Sequence, residues 1–318
     1  MKLRRLTGLL LSLVLLFCTG CSQSAAPRSA PFPTAEEQAL SNPPEASAEA
    51  PSNQQAEETV SNEKTDPAPA QEVSFTLCAY LPVSSMTQGA AAVAEEYAGS
   101  IAALDYLVLN TGAYWDENGA LSLSDELLDA IETLQGKTAL WCTVNPQGTL
   151  IREGTAGQSI DTPQERQALA QEIAAFAEQY GLAGIDIDWE FPLDDEWEDF
   201  STFLIALKDT LSRNSEPVAL SLALYPEEIA LSEEAIAALD RIHVMAYDQF
   251  DSEGFHSTMQ AAEDAVAYFT ALGASPQQLV LGIPAYGRPL DGSAQWVFYK
   301  DIDPAAISGE NPDLVGDI

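Results

Sequence analysis

Between Gly184 and Pro192 the chain places Asp186, Asp188 and Glu190 at every second position and fills the gaps with Ile185, Ile187 and Trp189. In an extended strand, residues i, i+2 and i+4 share a face. The segment therefore has one acidic face and one apolar face. With the apolar face packed on helices, the acidic row must look into a barrel interior or a cleft. Carboxylates gathered there repel one another and lose water, which raises at least one pKa and leaves a protonated acid ready to donate. General acid catalysis is the chemistry this pattern predicts.

The neighbouring sequence supplies a scaffold for such a row. Strand-like runs are expected at Ser74–Val83, Leu104–Asn110, Thr138–Val144, Gly184–Glu190, Val218–Tyr225, Arg241–Tyr247 and Leu279–Pro284. Most are continuous apolar runs, as parallel strands buried on both faces require. Helical patterns lie between them. Thr162-Pro163-Gln164-Glu165 is a capping box with Pro at the first helical position, and Gly181 supplies the stop, so a helix is predicted over Pro163–Tyr180. Glu196–Leu211 and Ala261–Leu272 are two more. Alternating strands and helices predict an α/β fold, and the repeat suits a (β/α)8 TIM barrel. A doubly wound open sheet is the rival, but no Gly-rich phosphate loop follows the first strand. No eighth strand or closing helix can be read after Pro284, so the barrel is expected to lack its C-terminal end. In a barrel, functional residues gather at the C-terminal ends of strands, which would bring together Glu190, Tyr247-Asp248 and Tyr286–Arg288.

The N-terminal part has another character. Lys2, Arg4 and Arg5 precede an apolar stretch from Leu9 to Cys18, the layout of a signal peptide over residues 1–20. Cys18-Thr19-Gly20-Cys21 is similar to the cleavage box of bacterial lipoproteins, with Cys21 as the expected lipidation site. Residues 21–72 are rich in Ala, Pro, Ser and Glu and nearly free of large apolar side chains, which predicts a disordered tether. Residues 73–318 then form the globular domain, lipid-anchored on the outer face of a cell membrane or secreted. The net charge of −36, from 49 acidic and 13 basic residues, argues against nucleic-acid binding and against attraction to anionic lipid. Membrane contact is thus expected through the lipid anchor only, and the domain is expected to be a monomer. Cys78 and Cys142 lie in strand-like runs separated by another strand. Two buried free thiols are favoured over a disulfide for that reason.

Three segments together carry a resemblance. Gly184-Ile185-Asp186-Ile187-Asp188-Trp189-Glu190 resembles the fourth-strand signature of family-18 glycoside hydrolases, the chitinases and their relatives. Met245-Ala246-Tyr247-Asp248 is similar to the family's sixth-strand motif, and Gly282-Ile283-Pro284-Ala285-Tyr286-Gly287-Arg288 to its seventh. Two departures stand out. Ala183 occupies the place of the family's first Asp, and the eighth strand, which in the family carries a Trp under the sugar, is missing.

The resemblance implies retaining, substrate-assisted hydrolysis of β-1,4-linked N-acetylglucosamine glycans, with the substrate's acetamido group as nucleophile. It implies that Glu190 protonates the glycosidic oxygen, that Asp188 orients the acetamido group, that Asp186 shares a proton with Asp188, and that Tyr247 holds the acetamido oxygen. Asp248, Met245, Tyr286 and Arg288 would contact the sugar, with Arg288 alternatively a structural ion-pair partner. Tyr80, Trp115, Tyr225 and Trp296 are candidates to stack on sugar rings, or else core aromatics. His243 and His256, the only histidines, show no metal-ligand spacing, and neither metal nor cofactor is expected. The substrate reading stays open among chitin, chitooligosaccharides, peptidoglycan and N-glycans. A non-catalytic chitin-binding lectin is the alternative from another class.

Overall fold

The computed structural model describes residues 75–289 and 296–302. The signal segment, Cys21 and the tether lie outside the described residues. Seven strands form one parallel path: β1 (Cys78–Pro82), β2 (Tyr106–Asn110), β5 (Ala139–Pro146), β6 (Gly184–Ile187), β7 (Ala219–Leu224), β8 (Arg241–Val244) and β9 (Leu279–Leu281). They follow the chain order, with neighbours paired in parallel. This is a curled (β/α) half-barrel, partial at its C-terminal side. Among the described residues nothing pairs with the outer edge of β1 or of β9. Each expected strand run overlaps one of these strands, with its ends shifted by a few residues.

One element was not expected. β3 (Ala113–Trp115) and β4 (Leu121–Leu123) form an antiparallel hairpin, and β3 also runs parallel to the end of β5. Each of the two is three residues long, too short for a two-residue period to register. Two further short strands, β10 (Tyr286–Gly287) and β11 (Val297–Phe298), pair with each other apart from the main sheet.

The helices form where their ends are chemically specified. Pro163–Tyr180 opens on the predicted box: Glu165 N–H donates to Thr162 Oγ1, and Thr162 N–H donates to the Glu165 carboxylate. It closes at Gly181, which is left-handed. Trp197–Leu211 packs against it, and between them and the sheet lie Leu169, Ile173, Phe176, Phe200, Phe203, Leu204 and Leu207. Ile185 and Ile187 of β6 are buried in this outer layer, with Trp189 just beyond the strand.

The inner face of the sheet holds a smaller core of Tyr106, Val108 and Trp141, against which Cys78, Tyr80, Ala183 and Ala219 pack. Tyr106 and Trp141 stack with ring centroids 4.3 Å apart. Trp141 fits because β6 begins with Gly184: a Cβ there would lie 2.1 Å from the indole. Cys78 and Cys142 are free thiols, Cys142 fully buried and Cys78 half-buried. Among the described residues no helix is long and apolar enough to cross a membrane.

Gly184→Ala should lower the unfolding free energy by about 1–3 kcal/mol through overpacking. It should also change the near-ultraviolet circular dichroism of the Tyr106–Trp141 stack. Denaturant unfolding of the variant beside the parent checks this, and an unchanged midpoint would contradict it.

Candidate active site

The acidic row is graded in depth. Strand pairing ends at Ile187, so Asp186 lies within β6 while Asp188 and Glu190 continue past the ladder into the loop. Asp186 is completely buried, Asp188 half-buried and Glu190 exposed at the mouth. On the other side of the segment, Trp189 is buried against Phe200 (centroids 4.9 Å) and Trp115 (6.3 Å). The alternation read from the sequence is present: acids face inward and apolar residues face the helices.

Each acid has its own electrostatic setting. Asp186 accepts from three donors: the Tyr80 hydroxyl on Oδ2 at 2.8 Å, and the Ser221 hydroxyl and His243 Nδ1 on Oδ1, the latter at 2.9 Å. Asp188 is pushed up to about 8, first by burial, then by the charges of Glu190 and Asp186, with the Asn145 amide and His243 opposing. Although Glu190 as a residue reaches solvent, neighbouring groups crowd its carboxyl, and this partial desolvation, followed by the charge of Asp248, pushes it up as well. The row can therefore hold a proton at neutral pH next to a carboxylate, which suits proton donation.

A second group forms after β8. Gly282 N–H donates to the carbonyl of Val244 at 2.8 Å, tying the end of β9 to β8. A Cβ at Gly282 would fall 2.8 Å from the Tyr247 ring, so this glycine lets the ring lie against the backbone. Tyr247 is half-buried, and burial followed by the charges of Asp188 and Glu190 keeps its hydroxyl protonated, a donor beside the acids. Asp248 adopts a left-handed backbone with φ 61°, a conformation that costs most residues energy and is best tolerated by Asn and Asp. Its carboxylate accepts from Tyr286 Oη at 2.8 Å and from Arg288 at 2.5 Å, with His256 Nε2 3.1 Å away. Burial pushes Asp248 up, but these partners more than reverse it and hold it well below the usual carboxylate range.

The structure brings Asp186, Asp188, Glu190, Tyr247, Asp248, Tyr286 and Arg288 to one end of the sheet. Met245 is buried at the end of β8. The Arg288 guanidinium also lies 5.7 Å from the centre of the Trp296 ring. Tyr225 is half-buried at the end of β7. Two expectations change. Trp115 has no exposed surface and donates its indole N–H to Ser159, so its ring is a core element with no face open to a sugar. Tyr80 is half-buried, and its hydroxyl is bound to Asp186 and His243, which makes it part of the support beneath the row.

Several residues of the site escape a reading of sequence alone. His243 and His256 carry no motif, because each becomes significant only through its spatial partners. Phe191 and Phe250 are exposed aromatics directly after Glu190 and near Asp248. Their adjacency to the two motifs is a signal that could have found them. Asn145 Oδ1, Thr111 Oγ1 and Gln249 Oε1 are buried without a hydrogen-bond partner at or just past the C-terminal ends of β5, β2 and β8.

Comparison with known proteins bears on the family and the fold. The sequence model described as Glycosyl hydrolases family 18 matches residues 55–306. The chain is 27% identical over 142 residues to Probable chitinase 2 of Drosophila melanogaster, covering 39% of this chain and 29% of that protein. It is 29% identical over 199 residues to Nod factor hydrolase protein 1 of Medicago truncatula, covering 54% of this chain and 52% of that protein. The chain thus spans about half or less of the length of these curated relatives. In structure it resembles a chitinase from Bacteroides thetaiotaomicron, with a TM-score of 0.60, 19% identity, and coverage of 76% of this chain and 80% of that one. At that identity the likeness shows the fold.

The raised groups predict the pH dependence of stability. Asp188 rises from 3.8 to about 8, and His243 from 6.5 to about 9, where burial alone would lower it but Asp186 more than compensates. Both bind a proton more tightly in the folded protein than in the unfolded one. Their stabilisation is complete below the unfolded values and is lost as pH rises through the folded ones. Asp248, held low, titrates below this window. The unfolding free energy should therefore fall steadily from about pH 5 to about pH 9, and Asp188→Asn should flatten the lower part of the decline. Denaturant melts across pH check this. Rising stability over the same window would contradict it.

Proposed function

The chain belongs to the glycosyl hydrolases of family 18, and on that premise we propose that it cleaves β-1,4-linked N-acetylglucosamine glycans, chitin or chitooligosaccharides, by retaining, substrate-assisted hydrolysis. The observation that carries this reading is the depth-graded row of Asp186, Asp188 and Glu190 beside Tyr247. Glu190, exposed at the mouth with a raised pKa, is the general acid for the glycosidic oxygen and then the base for the incoming water. Asp188 is the group that orients the acetamido N–H and stabilises the cyclic cation as the carbonyl oxygen attacks the anomeric carbon. Tyr247, kept protonated, donates to the acetamido oxygen and aligns it for attack. Metal assistance has no place in this sequence of steps, since the nucleophile belongs to the substrate.

Asp248, Tyr286 and Arg288 complete one another's charge and hydrogen bonding, so their first role is to build one wall of the site. Arg288 against Tyr286 and Trp296 makes that wall rigid. Phe191, next to Glu190 in the chain, and Phe250, two residues after Asp248, offer exposed aromatic surface to sugar faces, and the orphaned acceptors of Asn145 and Gln249 suit sugar hydroxyl or amide donors.

Release of a fluorophore from a chitobioside or chitotrioside by the full chain tests the reading. Glu190→Gln should reduce kcat by about 10²–10⁴-fold, the usual contribution of a general acid, while leaving saccharide binding intact. Saccharide binding by the parent chain with no turnover would replace the hydrolase reading with the lectin one.

A further inference from the structure

Beneath Asp186, the deepest acid of the row, lies a histidine that the proposed reaction does not use. His243 sits on β8 and is only 4% exposed. Its Nδ1 is 2.9 Å from Asp186 Oδ1, and its Nε2 is 2.7 Å from the Tyr106 hydroxyl. Tyr80 lies across the pair, its hydroxyl 2.5 Å from Nδ1 and 2.8 Å from Asp186 Oδ2. Trp141 and Tyr106 close the space around the imidazole, with ring centroids 6.1 and 5.9 Å away.

The hydrogen-bond inventory sets the Nδ1 proton, while the Nε2 contact with the Tyr106 hydroxyl can run in either direction. A carboxylate only accepts, so the nitrogen facing Asp186 carries a proton. The opposite nitrogen faces a hydroxyl that can accept from it. An ionised carboxylate with three donors and an adjacent cation is the favourable state of this pocket. An ionised Asp186 without a cation would be a buried charge met only by the Tyr80 and Ser221 hydroxyls. The titratable and charged groups facing His243 are Cys78 and Tyr80 from β1, Tyr106 from β2, Asp186 from β6 and Asp188 just beyond it, and Arg241 on its own strand. β7 contributes the neutral Ser221, which also binds Asp186, and β9 places Val280 beside His243 in register.

We infer that His243 is a positioning residue: an imidazolium that clamps Asp186 as a carboxylate against the barrel floor, so that Asp186 is a fixed negative charge and the mobile proton of the row stays on Asp188 and Glu190. This rests on the hydrolase reading. It departs from the sequence expectation, in which Asp186 itself shares the proton. Three donors already point at Asp186, two on Oδ1 and one on Oδ2, and together they favour its ionised form. The fixed charge then adds to the field that keeps Asp188 protonated beside the acid at the mouth.

The chain has two histidines, so imidazole nitrogen NMR on the full protein reads His243 directly. Both of its nitrogens should carry protons through neutral pH and titrate near 9. In Asp186→Asn the signal should titrate at clearly lower pH than in the parent, because its largest raising partner is gone while burial still disfavours the cation. A neutral, single-tautomer His243 at pH 7 in the parent would overturn the inference. Kinetics give the second arm. His243→Asn and His243→Gln should lower kcat by about a hundredfold with KM within about twofold. The limb reporting Asp188 should move to higher pH by about one unit, because the positive charge of His243 that lowers it has been lost. Tyr106→Phe keeps the cation and should leave that limb in place. A loss of activity in the His243 variants with no shift in the limb would mean that the residue only packs. The two readings fail separately: a doubly protonated His243 in a chain without turnover removes the hydrolase reading, whereas an active chain with a neutral His243 removes the clamp alone.

Discussion

Three carboxylates on one face of a four-residue strand and the loop that continues it form the constraint on which the rest of the structure depends. Side chains two apart on a strand lie about 6.5 Å from one another, close enough for each charge to feel the next. Facing inward, they cannot all ionise without compensation. The protein resolves this by depth. The deepest acid receives three hydrogen-bond donors, one of them a histidine. The middle one keeps its proton to about pH 8, and the outermost meets solvent at the mouth. The opposite face of the same segment needs a continuous apolar wall, and the helices Pro163–Tyr180 and Trp197–Leu211 provide it through Phe176, Phe200 and Phe203. Fold and chemistry are two consequences of one alternation.

The second group is organised by the opposite principle. Around Asp248 the charge is met locally, by the Arg288 guanidinium and the Tyr286 hydroxyl, with His256 Nε2 close by. A strained left-handed residue is held there by contacts from two other segments of the chain, which is the condition under which such strain persists. Gly282 joins the two groups, since only a residue without a Cβ lets Tyr247 lie between the strand and the acids. The motif that looks like a glycine-rich strand end is therefore a spacing device for the tyrosine.

Much of this was legible in the sequence because it is periodic or local. Continuous apolar runs marked the parallel strands, and Thr162 to Glu165 marked the start of a helix to the residue. The two-residue period of Gly184–Glu190 marked the acidic face. What was not legible depends on contacts across long separations. His243 meets Asp186 from 57 residues away and Tyr80 from 163, and on its own strand it reads as one polar residue in an apolar run. Trp115 stands at the end of a short strand in a position that suggests a platform, yet the β3–β4 hairpin and Ser159 bury it. Strand ends were overestimated at Gly184–Glu190 and Arg241–Tyr247 because the residue pattern continues past the point where pairing stops.

The central claim is that this row works with the substrate's own acetamido group. It is tested most directly on partially deacetylated chitosan, by mass spectrometry of the residue at each newly formed reducing end. If the acetamido oxygen is the nucleophile, every new reducing end must be N-acetylglucosamine, whatever the overall degree of acetylation. Glucosamine appearing there in proportion to its abundance would mean that a protein carboxylate or a water attacks instead, and the roles assigned to Asp188 and Tyr247 would be wrong.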